Sequence, residues 1–132
     1  METASLEPVD VEDLLRIDLS TGSCPVFAPP APDDLGASLP AAMVERDGGV
    51  RMNLVMDSHN VTVSVWAATL ASAMAEGDRL AGEVARLPMR PDASTQWRSA
   101  DVTALPSSAP DPLHPTIPRV QFTASVTCRA LT

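Results

Sequence analysis

Proline placement constrains this chain more than any other feature. Ten of its 13 prolines fall in two clusters, five from Pro25 to Pro40 and five from Pro106 to Pro118. None occurs from Ala41 to Leu87, and none after Pro118. Proline lacks a backbone N–H and fixes φ, so it is excluded from helix interiors and central strands. Regular structure is therefore expected in the proline-free stretches. The clusters read as ordered arms or surface loops, partly in polyproline conformation. A length of 132 residues fits one domain over residues 1–132. Residues 1–9 form an N-terminal extension to it and residues 106–118 a proline-rich arm.

Within the permitted stretches, hydrophobic period separates helix from strand. Residues 10–18 predict a short helix capped by Asp10, with Glu12 and Asp13 in its first turn and an apolar stripe of Val11, Leu14 and Leu15. Cys24–Phe27 reads as a short edge strand, because proline is tolerated there. Leu39–Arg46 is a further strand, and Asp47-Gly48-Gly49 is expected to close it with a turn. Val50–Asn60 is mixed, either strand or a long hairpin loop.

Val61–Trp66 alternates cleanly and predicts a half-buried strand. Ala67–Leu87 switches to helical period, with Leu70, Ala73, Met74, Gly77, Leu80, Ala81, Val84 and Leu87 on one stripe and Pro88 as the stop. Gln96–Leu105 is a strand anchored by Trp97 and Val102. Arg119–Arg129 is the last, with Val120, Phe122, Ala124, Val126 and Cys128 on one face. These elements predict an α+β domain. A mainly antiparallel mixed sheet is packed by one long helix and a short N-terminal helix, with proline-rich arms.

Charge and cysteines narrow the function classes. The net charge of −8 argues against a dedicated nucleic-acid-binding module, which would cluster positive charge. The acid is concentrated at one end: residues 1–20 hold six acids against Arg16 alone. No apolar run is long enough for a membrane span. The first eight residues show neither a basic nor an apolar signal-peptide region, so a cytoplasmic start is expected. Cys24 and Cys128 match no metal or redox spacing and read as buried free thiols.

No residue set in the sequence carries a catalytic, cofactor-binding or metal-binding pattern, and a non-enzymatic protein without cofactors is expected. His59, in Asp57-Ser58-His59-Asn60, reads as a solvated turn residue. His114, in a proline arm, reads the same way. Two histidines so far apart, with no Cys-x-x-Cys or His-x-x-x-His partner, do not make a zinc site. Gly48-Gly49 is a turn and not a phosphate loop. Asp33-Asp34 and Glu12-Asp13 read as solvated charge. Trp66 and Trp97 read as core or interface anchors.

The order of landmarks resembles the tail terminator proteins of long, non-contractile-tailed (siphovirus-type) bacteriophages of actinobacteria. The resemblance runs from about Val11 to Arg129. It comprises the acidic helix with Leu14-Leu15, then Pro25-Val26-Phe27 leading to Leu39–Arg46 and Asp47-Gly48-Gly49. Val61–Ala67 follows, then a helix with spaced Ala71, Ala75 and Val84. Pro115, Pro118 and Arg119 lead into the final strand, where Val120 stands in place of a tyrosine common in the family. The resemblance implies a structural virion protein of the tail and neck, assembled in the host cytoplasm. It would form a homo-hexameric ring that caps the tail tube, ends its polymerisation and meets the head-side connector. DNA would pass through without specific binding, and carboxylates facing the channel would repel phosphate.

Two segments are candidate interfaces. The stretch Arg46–Asp57 reads as a long glycine-led loop, in which Met52, Leu54 and Met56 offer adaptable apolar contacts beside Arg46 and Arg51. The second is the proline arm, with Pro110, Pro112, Pro115 and Arg119, where proline lowers the entropy of ordering an extended segment. Three other readings stay open: a different neck protein such as a head-closure or adaptor protein, a small ligand-binding or regulatory bacterial domain, and an enzyme with an unfamiliar site built around His59 and Asp57.

Overall fold

The computed structural model describes residues 7–130, so most of the N-terminal extension, residues 1–6, lies outside the described residues. The fold is α+β, a five-stranded mixed sheet carrying two helices. Helix α1 spans Val11–Leu19, and the N–H of Asp13 donates to Asp10 Oδ1 at 3.1 Å, which caps it. Strand β1 is Val26–Phe27 and β2 is Ala41–Arg51. Strand β3 is Met56–Trp66, helix α2 is Leu70–Arg86, β4 is Ser99–Ser108 and β5 is Arg119–Arg129. Thr69 caps α2 by accepting from the N–H of Ser72 at 3.0 Å. Pro88 sits in a 3-10 turn, Leu87–Met89, that ends the helix.

The strand order is β1-β2-β3-β5-β4, with only the β1–β2 pair parallel. Because directly opposed residues share a face, the register Val44↔Val63↔Phe122 lines three buried side chains beneath the helices. Val11, Leu15 and Leu19 of α1 and Ala73, Leu80 and Val84 of α2 close that core from above. Burying each large side chain there stabilises by about 1.5–3 kcal/mol. On the opposite face, Trp66, Ala41 and Leu35 form a second cluster at one end of the sheet, backed by Phe27, Leu39 and Ile117 from the arms. Most of the remaining middle of that face is polar. Ser58 and Ser125 lie 2.9 Å apart, Thr103 and Thr123 2.8 Å apart, and Gln121 Nε2 donates to Ser64 at 2.9 Å.

Four expectations need correction. Asp47-Gly48-Gly49 does not end a strand: it is a bulge inside β2, where pairing with β3 shifts by one residue and then continues to Arg51↔Asp57. The stretch Arg46–Asp57 is consequently mostly strand, and its loop is only residues 52–55. The second correction is β4, which runs through Pro106, so the free arm begins three residues later than composition implies. β4 is an edge strand with register shifts on both sides of Ala104, the context in which a sheet tolerates proline. Leu70, placed on the buried stripe, is the first residue of α2 and is exposed. His59 lies inside β3 and is buried, because β5 and β2 pair on both sides of it.

The two cysteines are free and buried, as expected. Burial pushes both thiols up to about 11. No helix among the described residues is long and apolar enough to cross a membrane.

Candidate interaction surfaces

β2 and β3 form one long hairpin whose turn is built by Asn53. Its Oδ1 accepts the N–H groups of Val55 and Met56, each at 3.0 Å, while the Met52 N–H donates to the Met56 carbonyl at 2.9 Å. Neither helix covers the tip, and Val50 lies opposite Ser58 on the sheet face that the helices leave open. Met52, Leu54 and Val50 are accordingly 61%, 76% and 66% exposed. Met56 is half-buried. Single exposed apolar residues are ordinary, but three at the end of one hairpin, Val50 in β2 and Met52 and Leu54 in the turn, make a contact patch.

Below the tip the hairpin carries charge. Arg51 grips the buried Asp57 as a fork, Nε to Oδ1 at 2.7 Å and Nη2 to Oδ2 at 3.0 Å. Those hydrogen bonds hold the Asp57 carboxyl below the usual carboxylate range. Arg46 donates its backbone N–H to Glu12 Oε2 at 2.8 Å, tying the hairpin to α1, and keeps its side chain exposed. Arg46, Gly48, Gly49, Arg51, Asp57 and His59 line a recess of about 420 Å³. His59 is 3% exposed, and its Nε2 has no hydrogen-bond partner. Burial, aided by the positive charge of Arg46 and opposed by Asp57, holds the imidazole below its ordinary value.

The arm leads into β5 at the opposite end of the sheet, where Trp66 pairs with Arg119. Its organiser is the buried Asp111. The carboxylate accepts from Trp66 Nε1 at 3.0 Å and from the Leu113 N–H at 3.0 Å, and lies 2.9 Å from His114 Nδ1. Burial pushes this carboxyl up, but the hydrogen bonds outweigh it and hold it below the ordinary range. His114 is thus a partly buried partner of Asp111 and not a freely solvated residue. Arg119 stacks 5.8 Å from the Trp66 ring and donates to the carbonyls of Ala109 and Pro110 at 2.6 and 3.1 Å. Its guanidinium is used within the arm, whereas Pro110, Pro112 and Pro115 are exposed. Leu113 between them is 85% exposed.

The predicted interface residues therefore fall into two groups. Arg46, Arg51, Met52, Leu54 and Met56 share the hairpin. Pro110, Pro112, Pro115 and Arg119 share the arm, across the length of an eleven-residue strand, roughly 35 Å at the usual rise per residue. Sequence reasoning missed Val50 and Asp111, and it paired Asp57 with His59 only in the enzyme reading while taking His59 itself for a solvated turn residue. Only Val50 carried a signal, being apolar beside a hairpin tip.

A third buried carboxylate, Asp18, accepts from Ser94 N–H, Ser94 Oγ and Trp97 Nε1, each at 2.8 Å. It pins the segment between α2 and β4 to the end of α1, which makes it structural. No group of three or more metal-ligating side chains is found among the described residues. No protein-family model matches the chain, and no curated protein matches it.

Proposed function

We propose that this chain is a structural assembly protein of the phage tail-terminator type. It forms a homo-hexameric ring that caps a tail tube, stops its growth and joins it to the head-side connector. The observation that carries this reading is the pair of exposed contact surfaces at opposite ends of one sheet. A subunit in a closed ring needs two different patches, one for each neighbour. A capping ring also needs separate faces for tube and connector. The apolar hairpin tip and the pinned, proline-stiffened arm supply two such patches. The sheet edges are poor alternatives: β1 has two residues, and β4 carries proline and register shifts that discourage edge pairing.

The test is solution mass by light scattering together with negative-stain microscopy, alone and with purified tail tubes. Six-fold rings, or monomers that form rings on tube ends, are the expected result. A dimer that ignores tube ends would overturn the proposal.

A further inference from the structure

We infer that the recess at the base of the hairpin is a binding site for a small tetrahedral oxyanion, inorganic phosphate or sulfate, taken up between Arg46 and His59. The inference does not rest on the ring reading, since the recess belongs to one subunit. Its charge inventory points to an anion. Asp57 is engaged by both ends of the Arg51 fork, so that pair is locally compensated. The Arg46 guanidinium makes no hydrogen bond or ion pair among the described residues, although it lines the same wall. Among the described residues, that leaves the Arg46 guanidinium with no hydrogen-bond acceptor, its backbone N–H alone being taken by Glu12.

His59 adds a second, independent observation. Its Nε2 is buried without a partner, an arrangement native proteins rarely tolerate without a functional reason. The charged and titratable groups around it are Asp57 on its own strand, Arg46 and Arg51 on β2, and the thiol of Cys128, which pairs with Asp57 from β5. Gly48 and Gly49 contribute no side chains, so the lining there is backbone. Burial is the larger obstacle to protonating His59 and the charge of Arg46 the smaller; an oxyanion in this space accepts from Arg46 and offsets that second part. Binding is therefore coupled to uptake of a proton by the imidazole.

The probe is sulfate, which stays dianionic across the titration range of histidine. The ring proton resonances of His59 are followed at about pH 6, near the ordinary histidine value, during titration with sodium sulfate. Sodium chloride at matched ionic strength is the control. A saturable shift with sulfate alone is expected, weakening with rising pH. Arg46→Gln, at an exposed position that the fold does not need, should weaken it by about tenfold or more. In His59→Gln, followed through the backbone amide resonances of Gly48 and Gly49 in the same recess, the sulfate response should lose its pH dependence while the protein stays folded. Equal responses to sulfate and chloride, or saturation unaltered by Arg46→Gln, would overturn the assignment. Oligomeric mass recorded on the same samples keeps this result separate from the ring proposal.

Discussion

The indole of Trp66 donates to Asp111 Oδ2 at 3.0 Å, joining the end of β3 to an arm 45 residues further along the chain. Both partners are buried, so the bond replaces solvation that neither group retains. Asp111→Ala removes the acceptor of Trp66 Nε1 and of the Leu113 N–H together. The expected loss is about 2–4 kcal/mol in urea unfolding, because buried donors are left unpaired. Protease sensitivity should rise within residues 109–118. Trp66→Phe, which removes one donor and keeps most of the apolar volume, should cost less than Asp111→Ala.

The β2 bulge gives a sharper test. An added Cβ at Gly49, where φ is +152°, would meet the Ser58 carbonyl oxygen at 2.0 Å. At Gly48, where φ is +126°, nothing lies within 4 Å. Gly49→Ala is therefore expected to destabilise by about 2 kcal/mol or more, and Gly48→Ala by about 1 kcal/mol from backbone strain alone. The ordering of the two, read from thermal melts, is the prediction.

Helix α2 offers the same contrast without strain. An added Cβ at Gly82 meets nothing, whereas at Gly77 it meets Val120 Cγ2 at 3.0 Å and Pro106 Cβ at 3.2 Å. Alanine is worth about 0.8–1 kcal/mol over glycine in a helix interior. Gly82→Ala should recover most of that gain as a raised melting temperature. Gly77→Ala should recover less, because the helix must move away from β4 and β5.

These sites also show what was legible in the sequence. Val61–Trp66 and Arg119–Arg129 were readable because one face of each is apolar and buried, so alternation follows directly from the fold. The caps Asp10 and the breaker Pro88 were readable because they act locally. The Asp-Gly-Gly bulge was not, since its local chemistry is that of a turn and only the ladder with β3 keeps the strand going. Asp57 and His59 failed for the same reason: Asp-Ser-His-Asn looks solvated until Cys128 and Val126 pair with it. Asp111 and Asp18 were invisible because their partners, Trp66, Ser94 and Trp97, are 45 to 79 residues away.

Stability should fall on acidification in two separate windows. The folded imidazole of His59 is held below its ordinary value, so the unfolded chain takes up a proton first as pH drops below about 6.5. That contribution is present above this value and is lost on the way down, with a slope of at most one proton. The carboxyls of Asp57 and Asp111 are also depressed. Their contribution holds above the ordinary carboxylate range and is lost progressively as pH falls below about 4. Melting temperature against pH should show both steps. His59→Gln should erase the upper one and keep the lower, slightly reduced because the charge of His59 also helps lower the Asp57 carboxyl.

The hairpin tip separates folding from assembly. Met52 and Leu54 are exposed and belong to neither core cluster, so Met52→Asp with Leu54→Asp should shift unfolding by no more than about 0.5 kcal/mol. If the tip contacts a neighbouring copy or the tube, two carboxylates there become desolvated and unpaired at the contact, which costs several kcal/mol. Ring formation and tube capping should then be lost from a chain with an unchanged melting curve. Light scattering and microscopy on the double variant check this directly. Rings that persist with normal capping would show that the hairpin is not the contact, leaving the arm at Pro110–Pro115 as the surface to alter next.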